Sequence, residues 1–451
     1  MILFMNADRQ PLPRFWYFPD DHRAVVIMTG DDHGIGLTAD HFDAFLNMSP
    51  ANCSVGDWEC IRGTSYIYPS HPLTDAEAAA YNAAGFEIGL HVNTGCTEYT
   101  PGSIDSDFSG QLAQFQSAYP SLPAPVSNRA HCIAWSDWTT QAEVENTYGI
   151  RLDTNYYYFP DTWVNSQEGF FTGSGMPMRF AALDGTIIDV YQATTQMTDE
   201  SGQGYPATAD ILLDRALGPE GYYGAFTTNM HTDRAVDNAV AIVQSAQARG
   251  VPVVTSRQML EWLDGRNSSS FDSLSWNGGT LTFSITAGQG ADNLRALLPT
   301  QTVSGTITSI NLNGAPISFT TDVIKGVEYA IFPAAAGVYQ ASTTPLPPDN
   351  QPPSVTITSP TDAAVVSSTV TLSADATDDV VVAGVQFQLD GANLGAEDTV
   401  APFSIGWDST TVANGAYQLT AIARDAAGNT ATSPVVGITV DNVPDLSLIH
   451  I

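Results

Sequence analysis

The chain has 451 residues, of which 43% are hydrophobic and 14% charged; that is length for roughly three domains and apolar material for a core in each, and so low a charged fraction excludes a coiled coil or a disordered chain. Acidic residues number 48 against 15 Lys plus Arg, a net charge of −33, which repels phosphate backbones and excludes nucleic acid as a partner. No apolar run reaches the ~18 residues that would span a bilayer.

In chain order, Met1 to Asn6 lacks the basic and long apolar regions of a signal peptide. Arg23 to Met28 is a short apolar run of the kind found in buried parallel strands. Thr74-Asp-Ala-Glu77 is a capping box that opens a helix closed by Gly85, and Phe86 to Leu90 is the next strand. Thr140-Gln-Ala-Glu143 opens another helix, closed by Gly149. Ile150–Tyr158, Thr186–Tyr191 and Gly224–Met230 read as strands, and Arg234–Arg249 as an amphipathic helix. Val251 to Thr255 is a last strand, followed by a short helix to Leu263. Strand and helix alternate at this spacing in a parallel sheet or barrel, here over residues 1–266.

The pattern then changes. Residues 267–343 carry β-rich runs with Gly and Asn turns, the pattern of a small antiparallel β domain, and 344–353 is a Pro-rich, extended linker. Residues 354–442 read as about seven short strands with turn signals, a β-sandwich pattern. Within it Val355-Thr-Ile-Thr-Ser-Pro360, Val385 to Gly391 and Arg424-Asp-Ala-Ala-Gly-Asn429 resemble the immunoglobulin-like repeats of secreted bacterial proteins. Leu446 to Ile451 is what one reading frame of a common transposase sequencing adapter would encode, so 443–451 is expected to be an artefact and the chain an N-terminally truncated fragment.

Four cysteines favour an oxidising compartment. Cys53 and Cys60 bracket a short polar loop and can close it, which leaves Cys96 and Cys132 as a second pair among three connectivities. The close CxxC pairs of a structural zinc site are absent.

Four polar clusters follow four strand-like runs at their C-terminal sides, where parallel α/β folds build sites. The first is Thr29-Gly-Asp31-Asp32-His33-Gly34, the second Leu90-His91-Val-Asn93-Thr-Gly95, the third Arg129-Ala-His131, and the fourth His231. Adjacent carboxylates at a strand end are costly unless a cation or proton separates them. His22, His41 and His71 fall outside these strand ends and read as structural.

That order of residue types resembles the polysaccharide deacetylase (NodB-homology) family over about residues 20–264. The resemblance implies an irregular (β/α) barrel, with the small β domain and the Ig-like sandwich behind it. Five motifs carry it. The first matches Thr29-Gly30-Asp31-Asp32-His33, with Asp31 as general base and Asp32 as metal ligand. The second matches at His91 but has Gly95 where the family has a second His. Arg129 matches the arginine that orients the base, Leu152-Asp153 and Tyr156–Tyr158 loosely match the groove motif, and His231 matches the general acid. For the ligand missing at Gly95, His131 is the first substitute and His33 the second. The implied cofactor is a divalent metal, zinc by its ligand types, and Asp31→Asn is expected to stop acetate release while the metal stays bound.

The implied function is a secreted or cell-surface, metal-dependent hydrolase that removes acetyl groups from a polysaccharide or cell-wall glycan. Trp135, Trp138, Trp163 and Tyr156–Tyr158 are candidates to stack on sugar rings. The alternative is a non-catalytic carbohydrate-binding or cell-surface protein on a degenerate deacetylase barrel, favoured by Gly95 and by Gly30 where the family has Phe. A glycoside hydrolase fits less well, since Asp31 and Asp32 are adjacent rather than about 5–10 Å apart across a bond.

Overall fold

The computed structural model describes residues 11–132, 134–155, 174–200, 202–219, 221, 223–302, 304–344 and 349–442. The chain is multidomain, with several β-sheets, and divides into two compact units, Met1–Thr344 and Pro345–Ile451. Tyr156–Tyr158, Trp163 and the 443–451 tail lie outside the described residues.

The first unit begins with β1 (Arg14–Phe15), followed by β2 (Ala24–Ile27) and β3 (Thr29–Asp32). The expected strand over 23–28 therefore runs further and changes sheet at Met28. Next come α1 (Thr38–Met48), β4 (Thr64–Ile67), α2 (Asp75–Ala83), β5 (Glu87–Asn93), α3 (Pro101–Ala118), β6 (Ser127–His131), α4 (Thr140–Thr147) and β7 (Leu152–Asp153). After the 156–173 segment, β8 (Met178–Ala181) and β9 (Ile187–Gln192) form an antiparallel pair, and β10 (Thr195–Thr198), α5 (Ala207–Leu217), β11 (Gly224–Asn229), α6 (Asp237–Gln247), β12 (Val253–Val254) and α7 (Ser256–Ser268) follow. The capping box forms as read: Thr74 Oγ1 accepts from Glu77 N, and Glu77 Oε2 accepts from Thr74 N.

Two sheets hold these strands, in the orders β3-β4-β5-β6-β7-β9-β8 and β10-β11-β2-β12. All pairs but β8–β9 are parallel. The chain passes between the two sheets twice, where β2 runs into β3 and where β9 runs almost at once into β10. Val26, Ile67, Leu90, Phe42, Phe108 and Ile242 belong to one buried cluster under the helices.

Residues 267–343, read as a small antiparallel β domain, fall in the same compact unit as the residues before them. α7 runs past the expected end at Leu263 into β13 (Ser270–Asn277), and then β14 (Thr280–Thr286), β15 (Arg295–Pro299), β16 (Gln301–Thr302), β17 (Gly305–Leu312), β18 (Ala315–Ile317), β19 (Thr320–Ile324), β20 (Val327–Pro333) and β21 (Gly337–Thr344) form two antiparallel sheets. Val25, Ile27, Leu152, Val254 and Trp262 of the parallel-strand body share one core with Leu281, Phe283, Ala296, Phe332 and Tyr339. Gly265 makes the contact close: a Cβ there would lie 2.3 Å from Ala291 N. β1 completes the later sheet by pairing antiparallel with β15, Arg14 opposite Leu297.

Among the described residues the second unit is a two-sheet sandwich of nine strands, β22 (Ser354–Ser359), β23 (Ala364–Val366), β24 (Thr369–Thr377), β25 (Val382–Leu389), β26 (Ala392–Asn393), β27 (Phe403–Asp408), β28 (Gly415–Asp425), β29 (Thr430–Thr432) and β30 (Val436–Val440). Leu372, Phe387, Trp407, Leu419 and Ile438 belong to its core. No helix among the described residues is long and apolar enough to cross a membrane.

Phe283 is 1% exposed within the joint core. Phe283→Ala is expected to cost about 3–5 kcal/mol and to lower a single melting transition that carries both the parallel-strand body and residues 267–343. Calorimetry that resolved two transitions, with only one of them shifted, would contradict the shared core.

Candidate metal centre

The site forms where β3, β5, β6 and β11 end. β3 is pinned against the segment after β11 by two backbone hydrogen bonds, Met230 N to Thr29 O and Thr232 N to Asp31 O, both 2.9 Å. The contact requires Gly30, because a Cβ there would sit 1.9 Å from Met230 O. Gly30 is thus what lets His231 approach Asp31.

Asp31 Oδ2 is the hub. It lies 3.3 Å from His33 Nε2, 3.3 Å from His91 Nε2 and 3.5 Å from His231 Nε2. In each ring the other nitrogen is committed: His33 Nδ1 to Asp233 Oδ2 at 2.7 Å, His91 Nδ1 to Arg129 O at 2.8 Å, and His231 Nδ1 to Asp199 Oδ1 at 2.6 Å. Oxygen acceptors behind the rings put the proton on Nδ1 and aim the Nε2 atoms inward. His131 closes the outer side, its ring 4.9 Å from that of His33 and 5.4 Å from that of His91.

The donor set fits a divalent cation. Ligand atoms of His33, His91 and His131 lie within 4.8 Å of one another, and so do those of Asp31, His33 and His231. Four ligands on bonds of about 2.0–2.1 Å in a tetrahedron stand about 3.3–3.4 Å apart, which is the spacing found around Asp31 Oδ2. His91 Nε2 and Asp31 Oδ1 are buried without a hydrogen-bond partner, the condition of donor atoms that await a ligand.

Charges are arranged to match. Burial works against the Asp31 carboxylate, but His91, His231, Arg129 and His33 together hold its pKa below the ordinary value. Burial pushes His91 down to about 4 and keeps it neutral. His131 is also lowered by burial. For His231 burial is outweighed by the Asp199 hydrogen bond and by the charges of Asp31, Asp199 and Glu200, so its pKa is raised.

Two expected roles change and a third holds only in part. Asp32 was read as the metal ligand, but its oxygens are spent elsewhere. Oδ1 accepts from Gly34 N, Ile35 N and Gly36 N at 2.9, 2.9 and 3.2 Å, Oδ2 accepts from Thr38 Oγ1 at 3.1 Å, and His71 Nε2 lies 2.8 Å from Oδ2 with both side chains fully buried. These partners outweigh burial and hold Asp32 well below the usual carboxylate range. Asp32 organises the loop, while Asp31 takes the place among the imidazoles. Arg129 was read as orienting the base and holding it ionised; its charge does help to lower the Asp31 pKa, but it acts without direct contact. Among the described residues no ion pair joins it to Asp31, and its Nη2 donates to Thr29 Oγ1, Thr195 Oγ1 and Thr228 O at 2.9, 2.8 and 3.2 Å. Asp153, read as lining the groove, sits behind the wall and is fully buried against Gln141, Asn155 and Glu145. His33, His91, His131 and His231 do come together. Gly95 is exposed, with nothing within 4 Å of where a Cβ would stand, so a side chain there would point into open space, and both expected substitutes, His131 and His33, stand in the cluster.

Asp199, Glu200, Asp233 and Asn155 were missed. They come from loops that follow strands, and a lone acid or amide there carries no periodic signal. Asp31, His33, Arg129, His131, Asn155, Glu200 and His231 help line a polar cavity of about 200 Å³. Cys132 borders it and is bonded to Cys96; Cys53 and Cys60 form the other disulfide. Trp138 is exposed, its indole N–H held by Ala181 O at 2.8 Å, and Trp135 stacks on Phe180.

Residues 353–421 match the bacterial Ig domain family Big_7. With two disulfides, this domain is consistent with an extracellular protein. A search of curated proteins finds no match. Among solved structures, the fibronectin(III)-like modules of Clostridium thermocellum CbhA are 28% identical over 20% of this chain and 99% of theirs, with a TM-score of 0.19. The endo-beta-1,4-mannanase from Thermotoga petrophila is 9% identical over 94% and 99%, with a TM-score of 0.18. A Cellulomonas fimi endo-beta-1,4-mannanase double mutant is 11% identical over 91% and 94%, with a TM-score of 0.26. Superpositions this poor assign no fold.

Glu145 and Asp153 supply a test of the wall behind the site. Glu145 Oε1 accepts from Asn128 Nδ2 and Gln141 Nε2 at 2.7 and 3.0 Å, while its buried Oε2 has no donor in reach. Burial and the charge of Asp153 raise Glu145 well above its ordinary value, and burial raises Asp153. Arg129 is the nearby cation that opposes this for Asp153. A carboxyl raised in the folded state stays protonated where the unfolded chain has already ionised, so stability is lost as pH rises from the ordinary carboxyl range. Glu145→Gln, a fixed mimic of the protonated acid, is expected to gain stability on the wild type between pH 5 and pH 8. Parallel melting curves over that range would contradict a shared proton.

Proposed function

We propose that residues 1–266 form a deacetylase-type (β/α) barrel that removes acetyl groups from a glycan with the help of a divalent cation. The observation that carries this reading is the convergence of the Nε2 atoms of His33, His91 and His231 on Asp31 Oδ2, with His131 beside them. Imidazole nitrogen and carboxylate oxygen favour zinc among the common cations. Asp31, His33 and His91 would hold the ion, with His131 at the open side.

A bound divalent cation supplies Lewis acidity at an acyl carbonyl and makes water a stronger acid. The protein groups do the rest. Asp31 stays ionised and keeps Oδ1 uncommitted, ready to accept a proton from the attacking water. His91 stays neutral and fixed by the Arg129 carbonyl. His231, raised in pKa and held by Asp199, carries a proton on Nε2 for the departing amine or alkoxide. The cavity is small and polar, suited to an acetyl group on a hydrophilic carrier. The Ig-like unit, by the usual role of such modules, spaces the enzyme from a surface or holds it near a polymer.

Two substitutions separate the adjacent carboxylates. Asp31→Asn is expected to lower acetate release by about 10²–10⁴ and also to weaken zinc binding, since the same carboxylate faces the ligands. Asp32→Asn is expected to leave zinc affinity in place while costing roughly 3 kcal/mol of stability, through loss of the buried pair with His71. Acetate from acetylated glycans and zinc by calorimetry are the measurements. Undiminished acetate release from Asp31→Asn sinks the reading, and zinc binding without any turnover favours a non-catalytic glycan-binding protein.

A further inference from the structure

We propose that Asn155 presents a fixed N–H to an oxygen of the bound acetylated saccharide, an inference that rests on the cavity's taking such a ligand. Asn155 lies two residues past β7, is 5% exposed, and lines the cavity with Asp31, His131 and His231.

Its amide is locked at both ends. Nδ2 donates to Asp153 Oδ2 at 2.8 Å, and Oδ1 accepts from Ala130 N. The backbone N–H of Asn155 also donates to Asp153 Oδ1 at 2.7 Å. With the amide turned over, its carbonyl would face the Asp153 carboxylate and its NH₂ would face the Ala130 N–H, so only one orientation is compatible with the neighbours. Asp153 is itself held as an acceptor. Gln141 Nε2 donates to it at 3.1 Å, and Glu145, whose Oε2 meets no other donor, supplies the proton that lets the two buried carboxyls lie side by side.

An amide nitrogen has two hydrogens. One is spent on Asp153. The other has no acceptor among the described residues, and the group borders the cavity. A buried N–H without a partner is costly, and a saccharide oxygen removes that cost. The other cavity groups are charged or titratable, apart from Asn229 and the apolar edge. Asn155 is instead a neutral donor whose direction is set by a carboxylate behind it. Neutral donors of this kind select for a carbonyl or hydroxyl oxygen and against analogues that lack it. The sheet supports the placement: β7 pairs with β6 at Asn128↔Asp153, so the Ala130 contact carries Asn155 to the strand end that holds His131.

The test is calorimetric binding of N-acetylglucosamine oligosaccharides and of acetylated xylo-oligosaccharides to the wild type, Asn155→Ala, Asn155→Ser and Glu145→Gln. Zinc affinity, melting temperature and acetate release are measured on the same proteins. Asn155→Ala and Asn155→Ser are each expected to weaken saccharide binding about tenfold or more and to lower kcat/KM by at least as much. Zinc affinity should stay within about twofold, which a general loosening of the fold would not preserve. Glu145→Gln keeps the donor aimed and should bind saccharide as the wild type does. If the wild type binds saccharide without releasing acetate while the Asn155 variants bind weakly, the catalytic reading falls and the role of Asn155 stands. Unchanged saccharide binding in both Asn155 variants overturns the proposal, as does failure of the wild type to bind either class of oligosaccharide.

Discussion

The site depends on one backbone crossing. Two hydrogen bonds, from Met230 and Thr232 to the carbonyls of Thr29 and Asp31, hold the end of β3 against the segment that carries His231. They form only because residue 30 has no side chain. From that crossing follow the distance from Asp31 to His231, the entry of His33 into the cluster, and the turn that hands Asp32 to the loop amides. Any larger residue at 30 would push these segments apart, and the shared focus of the imidazoles would be lost with it.

The electrostatics have an internal logic. A carboxylate this deeply buried is unfavourable alone, and the surrounding imidazoles with Arg129 offset that cost. The imidazoles in turn are kept distinct by their surroundings. Burial leaves His91 neutral in spite of the carbonyl behind it, while carboxylates around His231 favour its charged form. One set of side chains thus offers both lone pairs and a mobile proton at a single focus. Behind β6 and β7 a second pair of carboxyls, Glu145 and Asp153, uses a shared proton for a different end, the fixing of an amide.

Much of this was legible in the residue order. Alternating strand and helix signals located the parallel strands, and polar clusters at strand ends named Asp31, His33, His91, Arg129, His131 and His231. The capping box at Thr74 and the sandwich pattern from 354 to 442 were also plain, because both rest on local rules. What was not legible depended on contacts remote in sequence. Which of two adjacent aspartates faces the cavity is decided by strand pleat and by His71, which lies in a loop after β4. The partners of His33 and His231 are single acids in loops. The apparent boundary at 266 reflects a change of periodicity, but periodicity does not report whether two sheets bury their faces against each other. Gly265 hints at that contact, as do Gly288 and Gly290, and only once their neighbours are seen.

The pairing of Arg14 with Leu297 has a consequence for how this chain comes into being. β1 meets its partner only once the polypeptide has been made well beyond the parallel strands. Contacts so remote along the backbone slow folding and leave apolar edges uncovered in the meantime. A ribosome that stalls, or a protease that cuts, before residue 333 would leave the parallel-strand body with a bare seam where Val25, Leu152 and Trp262 should be roofed.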